Sequence, residues 1–523
     1  MPVSSESETS LEQLFHPAVV KMLFFGFAAG LPILLIFSSL SLWLREAGLQ
    51  RSAVTVFSWA ALGYSFKFIW APLVDRLSVP ILTSWLGRRR SWILLAQTAI
   101  IAAIIWMAMI DPVTAQDQLF WMACAAVLLG FSSATQDIVI DAYRIESGSV
   151  DLQAMMSATY IAGYRIGMLV AGAGTLYLAS WMGTSSEEYL YSAWRNAYLI
   201  MALCMLIGVA TTLIVSEPEV SSRPVKDASN SDNLSLFLLF LFCVVGFIFG
   251  YTLTSDFSSE AKATFSEMFN NKALSGVLVE FGRLLFSLAL AIAIALVLMK
   301  FRIVNRQVAV ASYYEPIAEF FGRYPAKLAI AILALICLYR ISDIVLGVVS
   351  NVFYQDLGFN KSQIAGAVKS FGLFMTIFGG FLGGYLSIRF GVLKVLLLGG
   401  LLACTTNLAF YLMAGGAPNI NILYAVVAID NLSAGLASAA FVAFLSALTN
   451  ISFTAVQFAI FTSIMTLLPK ILGGYSGSIV DQMGYPWFFM FTVIIGIPAL
   501  LIILYVGRHV QLDEAALTKK NRG

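Results

Sequence analysis

Asp137 and Asp141, two carboxylates four residues apart on one apolar segment, are the most chemically loaded pair in this 523-residue sequence. They lie in 134-ATQDIVIDAYR-144, which closes an apolar run beginning near Leu119. In lipid each acid costs roughly 2.5–3.5 kcal/mol near the bilayer centre, so something must offset that cost. The i, i+4 spacing puts both on one helical face, and Arg144 follows Asp141 at i+3. Three chemistries fit Asp137: reversible protonation in a water-filled cavity, a permanent ion pair between helices, or contact with a ligand. Burial of a carboxyl favours its neutral form and a nearby cation such as Lys67 or Arg165 its charged form, and a proton carrier needs the two in balance. Both acids are candidates for proton coupling. Asp141, one turn nearer the helix end and beside Arg144, is also the candidate for a latch.

Few other ionisable residues fall inside apolar runs: Lys67, Arg165, Arg340, Asp343, Lys369, Asp430 and Lys470. Lys67 sits in the middle of 63-GYSFKFIW-70, too far from the end of its run to snorkel. It suits attraction of an anion or partnership with an acid of the 119–141 run. Arg165 offers the planar fork that holds a carboxylate through two N–H donors. Tyr160 and Tyr164 beside it offer ring faces and hydroxyls suited to a sugar, although aromatic residues are common in any apolar helix. Arg340 and Asp343 are i, i+3 and can pair with each other. The residues expected at a ligand are therefore Lys67, Gln136, Tyr160, Tyr164, Arg165, Arg340, Asp343, Lys369, Asp430 and Gln457. A gate is expected from Asp75, Arg76, Arg88, Arg89 and Arg144, with 87-GRRR-90 also a determinant of orientation. No P-loop G-x-x-x-x-G-K-[ST] is present, which speaks against a nucleotide-driven pump. Two acids stacked on one helix do not face each other across a gap as an acid protease requires. No enzymatic activity, cofactor or metal site is expected.

These residues need elements to hold them, and composition says what kind. Hydrophobic residues make up 59% of the chain and charged residues 11%, where a soluble domain carries about 25% charged. The solvent must be largely lipid. A hydrocarbon core of ~30 Å needs about 20 apolar residues of helix, and such runs occur at 18–44, 53–72, 91–110, 119–141, 154–182, 194–215, 234–254, 282–300, 328–352, 365–388, 392–413, 421–447, 455–480 and 486–507. The short alternating segments of a membrane barrel are not seen. The expected fold is therefore all-α and integral to the membrane, with fourteen spans. Residues 1–16 are polar and acidic without a basic n-region, so no removable signal peptide is expected. The five cysteines fall inside apolar runs without metal-site spacing and are read as packing residues.

Arg76 and Arg88–Arg90, Arg389 and Lys394, and Arg508, Lys519, Lys520 and Arg522 all fall on one side when the spans are counted. The opposite loops, such as 111-DPVTAQDQ-118, are acidic or neutral. The positive-inside rule puts both termini in the cytoplasm. The polar stretch 216-SEPEVSSRPVKDASNSDN-233 reads as a linker. The two spans after it look like an insertion into a 6+6 protein: six spans in 1–218, the linker and inserted pair in 219–327, and six spans with a tail in 328–523. The halves echo one another. The second span ends in 72-PLVDR-76, and the matching stretch 383-GGYLSIRFG-391 has Ser387 where an acid would stand. Asp430 opens the counterpart of the span that holds Asp137. Such parallel halves around a central site resemble the major facilitator superfamily.

A narrower resemblance rests on 24-FFGFAAGLP-32, 64-YSFKFIWAPLVDR-76 with 87-GRRRSW-92, 132-SSATQDIVIDAY-143, 163-GYRIGMLVAG-172 and 453-FTAVQFAIFT-462. In these stretches the chain resembles the AmpG-type muropeptide permeases of Gram-negative bacteria, and the resemblance covers most of the chain outside 219–327. It implies a proton-driven importer of the inner membrane. Its substrates would be N-acetylglucosaminyl-anhydromuramyl peptides, carried from periplasm to cytoplasm for wall recycling and linked to β-lactamase induction. It implies protons and membrane lipid as partners, no nucleic acid, and a monomer. The family sits near acetyl-CoA transporters, so another anionic metabolite such as an acyl-CoA or a peptide is the alternative cargo.

Overall fold

The computed structural model describes residues 16–36, 38–49, 63–114, 116–148, 150–185, 188–219, 230–269, 271–359, 361–473 and 475–510. Within them thirteen helices are long and apolar enough to cross a membrane. The upper part of the expected span 53–72 and the tail residues Lys519, Lys520 and Arg522 lie outside the described residues, as does much of the 216–233 linker.

The first six core spans are Pro17–Ile36 continued by Ser38–Glu46, the 63–76 segment, Arg88–Ala108, Gln116–Ser147, Val150–Trp181 and Tyr191–Ile214. The inserted pair is Asn230–Leu253 and Lys272–Lys300, joined through the amphipathic helix Ser255–Phe269. Core spans seven to twelve are Ala326–Asp356, Lys361–Phe390, Val392–Ala414, Ile420–Leu448, Thr454–Gly473 and Ser476–His509. The helices end where the sequence stops them: Gly87 and Gly391, with φ of 83° and 87°, terminate the turns before core spans three and nine. Arg76, Arg88–Arg90, Arg389 and Arg508 gather at one end of the bundle, called here the basic end.

Glycine sets how closely some helices pack. A Cβ at Gly26 or Gly30 in core span one would run into the backbone of Tyr160 or Tyr164 in core span five, and one at Gly163 into Leu23. In the second set, Gly379 and Gly383 of core span eight meet the backbone of Leu432 and Leu436 in core span ten. Small residues allow this approach where lipid supplies no hydrophobic drive between helices. Core spans five and eight both carry a π-helical turn, at Val170–Gly174 and Ala365–Phe371, the kind of bulge that marks a functional position in many helices.

The two sets of six meet along two seams. Core span five packs on spans eight and ten, and core span eleven packs on spans two and four. A strap at the basic end, Arg306–Arg323, crosses from one set to the other. Its Tyr313 hydroxyl donates to the Ile69 carbonyl of core span two at 2.9 Å. Its Phe320 packs edge-on against Phe461 of core span eleven, with ring centroids 5.4 Å apart. Glu319 of the strap accepts from Asn450 at 2.8 Å and from Gln457 and Arg323 at 2.7 Å each. Burial pushes the Glu319 carboxyl up, but these donors outweigh it and hold the carboxyl below its ordinary value.

That direction fixes a pH signature. A carboxyl held low in the folded protein contributes stability above its unfolded pKa and loses it as pH falls through the folded value. Glu319→Gln should destabilise the detergent-solubilised protein by about 1 kcal/mol at neutral pH. In melting curves the gap to the parent should close only in acid, below the usual carboxylate range.

Candidate functional site

The charged residues of core spans two, four and five converge inside the first set of helices. Core span two breaks from α-helix into a 3-10 turn at Lys67–Ile69, and Lys67, buried at 6% exposure, points its ammonium at core span four. Lys67 Nζ lies 3.8 Å from Asp141 Oδ2, and Arg144 Nη2 lies 3.4 Å from Asp141 Oδ1. One carboxylate thus meets two cations. Asp137, a turn deeper and equally buried, has no ion pair among the described residues. It accepts only a long hydrogen bond, 3.5 Å, from the Tyr160 hydroxyl, and it feels the charges of Lys67 and Asp141 without touching either. The two acids are therefore placed in different chemistry: Asp141 is committed to cations, and Asp137 is beside them and uncommitted.

Tyr160 and Tyr164 lie side by side with ring centroids 6.2 Å apart, both half-buried. Arg165, next in sequence, makes no hydrogen bond or ion pair among the described residues. In the second set, Arg340 sits where core span seven is interrupted between Leu338 and Ile341. Its Nη1 donates to Ser438 Oγ and its Nε lies 3.7 Å from Asp343. Asp430 accepts from Thr406 at 3.4 Å. Lys470 of core span eleven feels the charge of Lys67. Lys369 falls in the π turn of core span eight, but its side chain lies outside the described residues.

Two residues expected at a ligand are placed elsewhere. Gln136 is fully buried and donates to the Ala28 carbonyl of core span one at 3.1 Å, so it serves the contact of spans one and four. Gln457 lies at the basic end. Its amide donates to Pro316 and Glu319 of the strap and accepts from the Asn450 N–H.

The expected gate residues gather at the basic end. Arg89, 1% exposed, donates to Asp75 at 2.8 Å and to Glu146 at 2.6 and 3.0 Å. The other oxygen of Asp75 accepts from the backbone N–H of Val456 at 3.1 Å, which caps the start of core span eleven in the opposite set. Arg88 donates to the Asp75 carbonyl, and Arg76 ends core span two. Arg144 crosses the seam as well: its Nη1 donates to Ser446 at 2.9 Å, and also to Gln153 and Ser157. The guanidinium lies 5.2 Å from the centre of the Phe458 ring. Glu217 accepts from the N–H groups of Arg89 and Arg90, a carboxylate on a helix N-terminus.

Glu146, Glu217 and Glu319 were not singled out from sequence. A signal existed for the first two, since 87-GRRR-90 needs acids near it and both stand at helix ends counted to that side. Nothing in the sequence points from Glu319 to Asn450.

The arrangement is that of a transporter, with buried charge at mid-depth and interlocked charge at one end. Comparison with known proteins agrees. The chain is 29% identical over 487 residues to the putative transporter AmpG 4 of Rickettsia felis, covering 93% of this chain and 96% of that one. It is 29% identical over 491 residues to the anhydromuropeptide permease of Escherichia coli K12, covering 94% and 79%. It is also 30% identical over 509 residues to an uncharacterized protein of Haemophilus influenzae, covering 96% and 97%. The Major Facilitator Superfamily model matches residues 331–522, and the Acetyl-coenzyme A transporter 1 model matches 19–216. The chain belongs to the AmpG-type permeases of the major facilitator superfamily. In fold it is similar to the proton:xylose symporter XylE, with a TM-score of 0.57 at 11% identity over 95% of this chain and 96% of that one. The permease is thus a multi-pass membrane transporter.

Arg89 is the keystone of the basic end, because two buried carboxylates depend on it. Arg89→Ala should cost about 3–5 kcal/mol, the penalty for stranding a buried charge, read as a lowered melting temperature. Arg89→Lys should recover only part, since an ammonium cannot reproduce the fork that serves Asp75 and Glu146 together.

Proposed function

We propose that this permease imports anhydromuropeptides, N-acetylglucosaminyl-1,6-anhydro-N-acetylmuramyl peptides, from periplasm to cytoplasm by proton symport. It would act in the inner membrane of a Gram-negative cell, with both termini cytoplasmic, in cell-wall recycling and the β-lactamase induction linked to it. The observation that carries the reading is Asp137: a buried acid beside, but not bound by, the Lys67–Asp141–Arg144 network. A carboxyl that is permanently paired cannot take up and release a proton in each cycle; Asp137 is free to do so. The name of the Escherichia coli relative and the resemblance in core spans four and five support the substrate.

In this reading the basic end is the cytoplasmic end, and the halves locked there by Asp75–Val456, Arg144–Ser446 and the strap represent the state open to the periplasm. Asp137 takes a proton from that side as substrate enters. Neutralising it lifts the repulsion between Asp137 and Asp141 and changes the field on Lys67 and Asp141. Arg144 pairs with Asp141 and holds the seam through Ser446, so the same event reaches the lock by way of Asp141. Lys67 and Arg165 serve the anionic peptide, and Tyr160 and Tyr164 the sugars. Arg340, Asp343 and Asp430 form the opposite wall. A second reading, export or import of an acyl-CoA, is favoured by the match of residues 19–216 to the acetyl-CoA transporter model.

Proteoliposomes separate the possibilities. An imposed inward proton gradient should drive accumulation of labelled anhydromuropeptide, a protonophore should abolish it, and excess acetyl-CoA should not compete. Asp137→Asn should lose gradient-driven accumulation while retaining exchange of labelled for unlabelled substrate. Accumulation by Asp137→Asn equal to the parent would remove Asp137 as the proton carrier. Competition by acetyl-CoA, with no muropeptide uptake, would favour the second reading.

A further inference from the structure

Arg165 and Arg340 stand on opposite sides of the seam at matching depth. Arg165 is fifteen residues on from Val150 and Arg340 fourteen on from Ala326. At ~1.5 Å per residue both lie about 20 Å in from the basic end, deep in the bundle. Arg340 reaches Ser438 of core span ten, and core span five, which carries Arg165, packs on that same helix. The two guanidiniums are close enough for Arg165 to feel the charge of Arg340.

Their partners do not balance. Asp343 touches the Nε edge of Arg340 at 3.7 Å, and Ser438 takes Nη1. Nη2 of Arg340 has no partner among the described residues, and neither does any guanidinium nitrogen of Arg165. Asp430 lies within electrostatic range of Arg340 but makes no ion pair with it among the described residues, and it accepts from Thr406. The guanidinium stays charged at any pH the fold survives. Two like charges at this depth repel unless an anion lies between them. Asp343 offsets Arg340, and among the described residues no carboxylate pairs with Arg165, so one of the two charges is left for an anion that the ligand supplies.

Resting on the transport reading above, we propose that Arg165 and Arg340 form one carboxylate-binding subsite, built from one guanidinium of each half. A planar carboxylate accepts two parallel bonds from one fork and a further bond from the other. The subsite therefore reads a free carboxylate on the peptide of the substrate and selects against its amide. It also makes the anion the bridge between halves: without it, like charges oppose their approach at this depth, and with it they attract. Closure over an empty cavity is disfavoured by the same residues that hold the cargo.

Binding to the purified full-length permease tests this, using an anhydromuropeptide with free peptide carboxylates and its fully amidated form. The parent should bind the acid about 10- to 100-fold more tightly than the amide. Arg165→Gln and Arg340→Gln should each weaken acid binding toward the amide level and collapse the acid/amide ratio. Arg165→Lys should restore part of the affinity, and size-exclusion profiles should match the parent throughout. Undiminished acid/amide discrimination in either Gln variant overturns the proposal. If the parent binds neither peptide, the muropeptide reading falls, and citrate decides the subsite. Citrate raising the melting temperature of the parent but not of the Gln variants upholds the subsite, and an equal response removes it.

Discussion

A charge held at lipid depth must be offset, and the way one carboxylate is offset organises this molecule. Asp141 takes both Lys67 and Arg144. That double pairing sets a single acid against two cations and leaves Asp137 outside the ion pairs, touched among the described residues only by the Tyr160 hydroxyl. Arg144 is not used up by Asp141. The same guanidinium bonds Gln153, Ser157 and, across the seam, Ser446, and it faces the Phe458 ring. Asp141, whose charge Asp137 feels, thus pairs with the same side chain that holds the contact between halves.

Such coupling requires a stiff frame, and glycine provides it. Core span five carries Tyr160, Tyr164 and Arg165 on a backbone pressed against Gly26 and Gly30, and Gly163 of the same helix is pressed against Leu23. Contacts made backbone to backbone leave little room for the helix to rock independently. The second set repeats the device with Gly379, Gly383 and Gly435. The relief comes in the π turns of core spans five and eight, which lie on the two helices that face each other across the seam.

Much of this was legible in the sequence, and the boundary of legibility is physical. Spans are properties of local composition, so the apolar runs mark them directly. The 6+6 arrangement with an inserted pair follows from counting, and the acids of core span four stand out because lipid makes them expensive. Partner choice is different, because it depends on contacts between residues far apart in sequence. Lys67 was readable as a partner for an acid of core span four, but not that it would choose Asp141 over Asp137. Gln136 and Gln457 sit in the resemblance motifs and read as ligand contacts; Gln136 Nε2 bonds the Ala28 carbonyl, and Gln457 bonds the strap. Nothing in the local sequence of the strap, 306–323, points to Ile69 and Phe461, and only its packing on them makes it a bridge.

The two halves echo each other in sequence but do not grip each other equally. In the first half Asp75 places a carboxylate oxygen on the N–H of Val456, where the helix macrodipole adds to the bond, and Arg89 and Glu146 hold it there. At the matching place in the second half stands Ser387, whose hydroxyl turns back to Gly383 of its own helix. There Gly384 lies against Ala154 and Ala158, a contact of small apolar residues. A charge-assisted lock is strong while its ions stay as they are and fails when their field changes; a contact of small apolar residues does neither. The seam of core spans two and eleven is therefore the one that an electrical event can release, and the seam of spans five and eight is suited to act as the pivot. The responsive seam lies beside the Lys67–Asp141–Arg144 network, one helical turn from Asp137.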